Sequence, residues 1–255
     1  MTGPALAPES PDLVWFEGPD AVRFLNDLVS NEISELGEGT AVRSLLLSPQ
    51  GRLDHMLWVL RNSDRVGLVT APGRGEDLAA TLGRYRIRVD VEISVSTEPL
   101  WLVVGDYPGI DVSWQGLTRS LVFGERPDLP GLTDDDYERA RIEAGEPLFG
   151  VDVDEKTIPQ EVDRLVDVAV DFDKGCYLGQ ELVARINSRG GNVPRHLRSL
   201  RFSGDAPVTG TELVLGDKLV GTLTSASGEL GLALLHRDVG RGDTVTAAGH
   251  SATVL

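Results

Sequence analysis

From residue 197 to the last, the chain is a succession of short strand-like runs, each closed by a glycine-containing turn. The runs cover residues 200–202, 212–215, 219–225, 230–236, 244–246 and 251–254. Between them lie Gly204-Asp205, Gly216-Asp217, Ser227-Gly228, Arg241-Gly242-Asp243 and Ala248-Gly249. Glycine takes the left-handed backbone of tight hairpin turns without penalty, and no helical apolar period interrupts the runs. Such a stretch predicts a small antiparallel β-barrel over 197–255, with Pro194 marking its boundary.

Upstream the pattern is mixed. Residues 13–16 read as a strand ending at Gly18. Residues 20–33 read as a helix, because Ala21, Phe24, Leu25 and Leu28 fall at i, i+3, i+4 and i+7. Residues 44–47 and 52–60 read as two strands joined by the turn Ser48-Pro49-Gln50-Gly51. A strand over 65–70 and a helix over 75–85 follow. Val89, Val91, Ile93 and Val95 then alternate strictly, which buries one face of a strand. Residues 101–104 read as continuing that sheet, 106–130 as a Gly- and Pro-rich surface connection, and Asp134-Asp135-Asp136 as the cap of a helix. Strands mixed with single helices, without a βαβ rhythm, predict an α+β fold. The expected organisation is an α+β region over 1–196 in two subdomains, the mid-chain one at 45–130, followed by the barrel at 197–255.

Composition narrows the function. With 255 residues and 41% apolar content the chain can build a real core. Forty acidic residues against 24 basic ones give a net charge of −16, which argues against nucleic-acid or anionic-membrane partners. No apolar stretch approaches a membrane span, Met1 to Pro11 lacks the pattern of a signal peptide, and one cysteine fits a reducing interior. The expectation is a cytoplasmic protein. His55, His196, His236 and His250 are scattered without metal-ligand spacing, so no metal site is expected. Neither a P-loop, nor G-x-G-x-x-G, nor G-x-S-x-G occurs.

The one cysteine sits in Lys174-Gly175-Cys176-Tyr177-Leu178-Gly179-Gln180-Glu181. A lone thiol forms no internal disulfide, so it is either inert filler or chemistry. Lys174 puts a cation two residues before the sulfur. The apolar spacing of Leu178, Leu182 and Ile186 predicts a helix whose first turn holds Gln180 and Glu181. A nearby cation and a helix start both favour thiolate, and the two glycines permit tight turns on either side. These surroundings favour a reactive Cys176, with Lys174 assisting and Gly175, Tyr177, Gly179, Gln180 and Glu181 supporting the motif.

The octapeptide resembles the Lys-Gly-Cys-Tyr-x-Gly-Gln-Glu signature of YgfZ-type proteins, folate-binding relatives of the glycine-cleavage T protein (aminomethyltransferase). Arg141-Ile142-Glu143-Ala144-Gly145 with Phe149-Gly150-Val151-Asp152, and Thr157-Ile158-Pro159-Gln160-Glu161, resemble further segments of that family. The resemblance spans nearly the whole chain and is strongest over 137–198. It implies aminomethyltransferase-like α+β domains ringed around a central opening. It implies tetrahydrofolate or a one-carbon derivative as cofactor. It also implies a part in iron–sulfur cluster assembly or repair through transient client or assembly partners. Folate-dependent aminomethyl or methyl transfer is the alternative, so enzymatic turnover stays open.

For the folate, the resemblance nominates Glu143 and Glu161 as carboxylates able to pair with the pterin edge. It nominates Tyr137 as an aromatic plate, with Arg141 beside it. The dense basic stretch Arg185, Arg189, Arg195 and Arg198, Arg185 foremost, suits the anionic tail. Each has an ordinary alternative: core packing for Tyr137, a helix surface for Glu143 and solvated positions for the arginines. Two departures weigh against true aminomethyl transfer. Asp54-His55 stands where the T protein has paired aspartates, and Val69-Thr70-Ala71 where it has Val-Asn-Ala. Asp54 is left as a base or a turn residue. Iron–sulfur clusters are usually held by four thiolates, so Cys176 supplies at most one ligand, in a dimer or client complex.

Overall fold

The computed structural model describes residues 3–255; the first two residues of the Met1 to Pro11 stretch lie outside the described residues. The backbone divides into two compact units. One is the chain up to Leu132 with Asp167–Leu182, the other Thr133–Val166 with Val183–Leu255.

In chain order the first unit begins with strands β1 (Ala5–Leu6) and β2 (Asp12–Glu17), helix α1 (Ala21–Asn26) and strands β3 (Ala41–Leu47), β4 (Leu53–Asn62) and β5 (Arg65–Thr70). Helix α2 (Gly75–Gly83) and strands β6 (Glu92–Val95), β7 (Leu100–Val104), β8 (Ile110–Asp111) and β9 (Arg119–Phe123) follow. They form a five-stranded sheet, β3-β4-β5-β2-β6, and a four-stranded sheet, β1-β7-β9-β8.

The larger sheet is buried on both faces. Val14, Phe16, Leu57, Val59 and Leu68 pack with Phe24 and Leu25 of α1 and Leu78 and Leu82 of α2. On the other side, Leu13, Trp15, Leu60 and Val69 pack with Leu100 and Leu121 of the smaller sheet and with Val112 just past β8. Burial on both sides explains why β2 reads as a continuous apolar run and not as an alternation. Each such side chain stabilises the fold by about 1.5–3 kcal/mol.

Three expectations about single elements change here. Residues 101–104 do not extend the first sheet; β7 pairs with β1 and β9 in the second. The Gly- and Pro-rich 106–130 is no mere connection, since it contains β8 and β9 and buries Val112, Trp114, Leu117 and Leu121. Its strands are too short to leave a periodic signal. The helix expected over 20–33 stops at Asn26. There the chain peels away to meet β3: Val29 bridges Leu46, and the Ser30 amide donates to Leu45 O at 3.0 Å. Leu28 stays buried after the helix has ended, so its spacing could not signal the stop. The expected division near residue 45 runs through one sheet, with β2 on one side of it and β4, β5 and β6 on the other.

The second unit contains α3 (Asp134–Glu143), a 3-10 turn (Pro159–Glu161) and the C-terminal strands. Thr133 is the α3 cap, its Oγ1 accepting from the Asp136 amide at 3.1 Å, while the three aspartates fill the first turn beside the positive end of the helix. Helices α4 (Leu165–Ala169) and α5 (Gln180–Ser188) precede the barrel. Its strands are β10 (Arg195–Phe202), β11 (Glu212–Leu215), β12 (Lys218–Ser227), β13 (Leu230–His236), β14 (Thr244–Ala247) and β15 (His250–Val254). They close in the order β10-β13-β12-β11-β14-β15, all antiparallel, around Leu200, Phe202, Leu213, Leu223, Leu235 and Val245. Closure leaves no free sheet edge. Among the described residues no helix is long and apolar enough to cross a membrane.

Candidate functional site: an exposed thiol on an anchored loop

Cys176 lies in the loop between α4 and α5 and is exposed. The helix begins four residues later, at Gln180, so Gln180 and Glu181 open its first turn while the sulfur stands ahead of it. Gln180 closes the loop on that side: its Oε1 accepts from the Tyr177 amide at 3.2 Å. Glu181 is exposed.

Lys174 anchors the other side. Its ammonium donates to the backbone carbonyls of Asn26, Val29 and Asn31 at 2.7, 2.8 and 2.8 Å, with Asn26 Oδ1 at 3.3 Å. These carbonyls belong to the stretch where the chain leaves α1. Burial lowers the Lys174 pKa to about 8, against the opposing pull of Glu32, Asp171 and Asp27. The Tyr177 ring centroid lies 5.5 Å from the ammonium. Tyr177 is buried, its hydroxyl has no hydrogen-bond partner, and burial pushes its pKa up to about 12.

Of the two motif glycines only Gly179 is required by the backbone. It has φ +78°, and a Cβ there would lie 2.4 Å from Ser48 O. Gly175 has open space around it and an ordinary φ.

The residues nominated for folate lie in the second unit. Arg141 is 3% exposed and fully engaged, donating to Asp152, Glu138, Glu146 O and Ser225 Oγ. Asp152 also accepts from Thr224 and from Ser225, which ties α3 and its following loop to β12. Glu161 is 2% exposed; it accepts from the Ile158 amide at 3.0 Å and from Arg195 Nε at 2.9 Å. Both nominees therefore hold the shell of this unit together. Arg198 pairs with Asp163. Glu143 and Arg185 are exposed, and Tyr137 is half-buried. At about 100° per residue, Tyr137 and Glu143 leave α3 about 120° apart. A carboxylate and a cation thus stand exposed, with an aromatic ring half-buried, which are the group types that suit a folate.

At the Asp54-His55 departure, His55 points into the core of the first unit, with neither ring nitrogen hydrogen-bonded. Nε2 stands 3.5 Å from Asp77 Oδ2. Burial, reinforced by Arg74, lowers its pKa to about 4, so it is neutral at physiological pH.

Sequence reasoning missed the carbonyls of Asn26, Val29 and Asn31, because a backbone acceptor leaves no trace in residue type. It placed Gly51 in a turn without its close approach to Gly179, which packing alone sets. Asp152 was visible in Phe149-Gly150-Val151-Asp152, yet nothing there signalled Ser225 as its partner.

The whole fold is that of a known class. A crystal structure of glycine cleavage system aminomethyltransferase T from Bartonella henselae superposes with a TM-score of 0.81, covering 99% of this chain and 85% of that one at 18% identity. The chain thus has the aminomethyltransferase-like fold, with mixed α and β content and a closed six-stranded barrel. Residues 195–255 match the CAF17 C-terminal beta-barrel domain. Within this fold class the chain is similar in sequence to YgfZ and IBA57 proteins. It is 29% identical to the human mitochondrial iron-sulfur cluster assembly factor IBA57, over 95% of this chain and 80% of that protein. It is 24% identical to the tRNA-modifying protein YgfZ of Cronobacter sakazakii, over 71% of this chain and 66% of that relative.

Proposed function

We propose that this chain binds a reduced folate, tetrahydrofolate or a one-carbon derivative, and acts in the assembly or repair of iron–sulfur clusters in client enzymes through Cys176. The observation that carries the reading is the presentation of the one thiol: exposed, on a loop anchored by Lys174 before it and Gln180 after it. An inert cysteine is ordinarily buried, and a fixed, solvent-facing sulfur suits transient contact with a partner. The iron–sulfur assembly role of IBA57 and the homology to YgfZ support the client class.

Glu143, Tyr137 and Arg185 are the side chains proposed to meet the folate, by pairing with the pterin edge, covering its face and countering its tail. Arg141 and Glu161 act behind them by holding the backbone. The folate, when bound, supplies one-carbon chemistry. His55, buried and neutral where the T protein carries an aspartate, speaks against aminomethyl transfer here.

Titration of the protein with tetrahydrofolate, followed by calorimetry, tests the cofactor. Maturation of an iron–sulfur enzyme in cells carrying only a Cys176→Ser variant tests the role. Saturable binding together with loss of client activity is the expected result. Enzymatic turnover of a methylamine-type donor to methylene-tetrahydrofolate, undiminished by Cys176→Ser, would overturn the reading in favour of a transferase.

A further inference from the structure

We infer that Lys174 is a positioning residue for Cys176: its ammonium, seated on the carbonyls of Asn26, Val29 and Asn31, fixes the segment that presents the thiol and does not serve as the sulfur's counter-ion. The inference builds on the reading of Cys176 as the acting group.

An ammonium has three protons, and here three carbonyls stand at 2.7–2.8 Å to receive them. Once all three are engaged, no short donor remains for a thiolate. One of them, Asn26 O, is the last carbonyl of α1, which has no partner within the helix and stands at the negative end of its dipole; Val29 O and Asn31 O belong to the irregular stretch that follows.

The clamp is one of several ties between the same two stretches of the first unit. The Asp171 amide donates to Ser30 O at 3.0 Å, and Ser30 Oγ donates to Ala169 O at 2.6 Å. Asn31 Nδ2 donates to Val168 O at 3.3 Å. Within the loop, Asp171 Oδ1 accepts from the amides of Asp173 and Lys174 at 2.8 and 3.2 Å. Lys174 is the last tie before the sulfur, and the next is the Tyr177 amide on Gln180. Between them stand only Gly175 and Cys176. Glycine adds backbone freedom beside the thiol, and the clamp offsets it.

The groups around the ammonium are the carboxylates of Asp27 and Glu32 near the exit of α1, Asp171 on its own segment, and the Tyr177 ring. Losing its proton would leave a neutral amine with two donors for three carbonyls. Such a loss falls within the range of ordinary buffers, since burial brings the pKa to about 8.

The test uses the full chain as wild type and as Lys174→Met, which keeps length and removes charge and donors. Three readouts apply: amide hydrogen exchange over 171–177, the mobility of a nitroxide attached to Cys176, and the pH profile of Cys176 alkylation by iodoacetamide. In Lys174→Met the loop amides should exchange about tenfold faster or more, with barrel amides unchanged. The nitroxide should move faster, and the midpoint of the alkylation profile should stay where it is in wild type. In wild type, raising the pH from about 7 to about 9 should open the same amides once intrinsic base catalysis is corrected for. If Lys174→Met does not fold, Lys174→Gln, which keeps a polar head but cannot serve three carbonyls, replaces it in the same readouts.

Unchanged exchange and nitroxide mobility in Lys174→Met would overturn the inference. So would an alkylation midpoint that rises in the variant, which would make Lys174 an electrostatic partner of the sulfur. Full client maturation by Cys176→Ser would sink the functional reading alone, leaving the clamp to stand or fall on exchange.

Discussion

Gly51 and Gly179 meet backbone to backbone. A Cβ on Gly51 would lie 2.8 Å from Gly179 O, and a Cβ on Gly179 would lie 3.1 Å from Gly51 Cα and 2.4 Å from Ser48 O. The turn joining β3 and β4 and the turn opening α5 therefore touch with no room for a side chain on either. Both residues also have positive φ, +73° and +78°. Gly179→Ala adds a clash to a left-handed conformation that costs an L-residue roughly 1–2 kcal/mol by itself. The expected loss is about 2–4 kcal/mol in a denaturant titration. Gly175→Ala, with open space and ordinary φ, should stay within about 0.5 kcal/mol of wild type. Equal effects at the two glycines would refute this account.

Arg141→Met should destabilise the chain by about 3–5 kcal/mol, because it leaves Asp152 buried without its cation. Asp152→Asn in the same chain should return part of that loss. A double-mutant cycle by chemical denaturation measures both. A variant that lost folate affinity at unchanged stability would instead make Arg141 a ligand-contacting residue.

Acid should weaken the fold through His55. Its folded pKa, about 4, lies below the unfolded value of about 6.5, so between these limits the unfolded chain binds more protons. The contribution is complete above pH about 6.5 and fades as the pH falls towards about 4. It amounts to on the order of 3 kcal/mol. His55→Leu should flatten the pH dependence of stability across that window. Parallel curves for the two proteins would show that other groups carry the acid sensitivity.

Tyr177 contributes through its ring. Its buried hydroxyl has no partner, so Tyr177→Phe removes an unpaid desolvation and should leave the melting temperature equal or higher, by up to about 1 kcal/mol of stability. In an absorbance titration of wild type, one tyrosine should ionise only near pH 12 and be missing from the variant. A marked loss of stability in Tyr177→Phe would reveal a hydrogen bond to that hydroxyl.

Several of these features were legible before any fold was known. The barrel could be read because period-two strands and glycine turns are local; five of its six strands match their runs to within two residues, while β10 begins at Arg195, five residues ahead of the run at 200–202. The start of α5 at Gln180 followed from apolar spacing, and the octapeptide pointed to the fold that the comparison bears out. The end of α1 was not legible, because Val29 leaves the helix to pair with Leu46, a choice made across the sheet.

What the sequence determined by itself was the inventory: an α+β chain with a terminal barrel, one thiol, and a lysine and two glycines around it. Tertiary structure alone decided which groups each of them meets. Lys174 looked like a cation for a sulfur two residues away, yet its partners are carbonyls nearly 150 positions back in the chain. Glu161 looked like a ligand carboxylate, yet Arg195 and the Ile158 amide engage it. Patterns of residue type record burial and turn chemistry, which are set by near neighbours. Backbone acceptors and distant ion pairs are set by how the elements pack, and a buried charge takes whichever partner the packing brings to it.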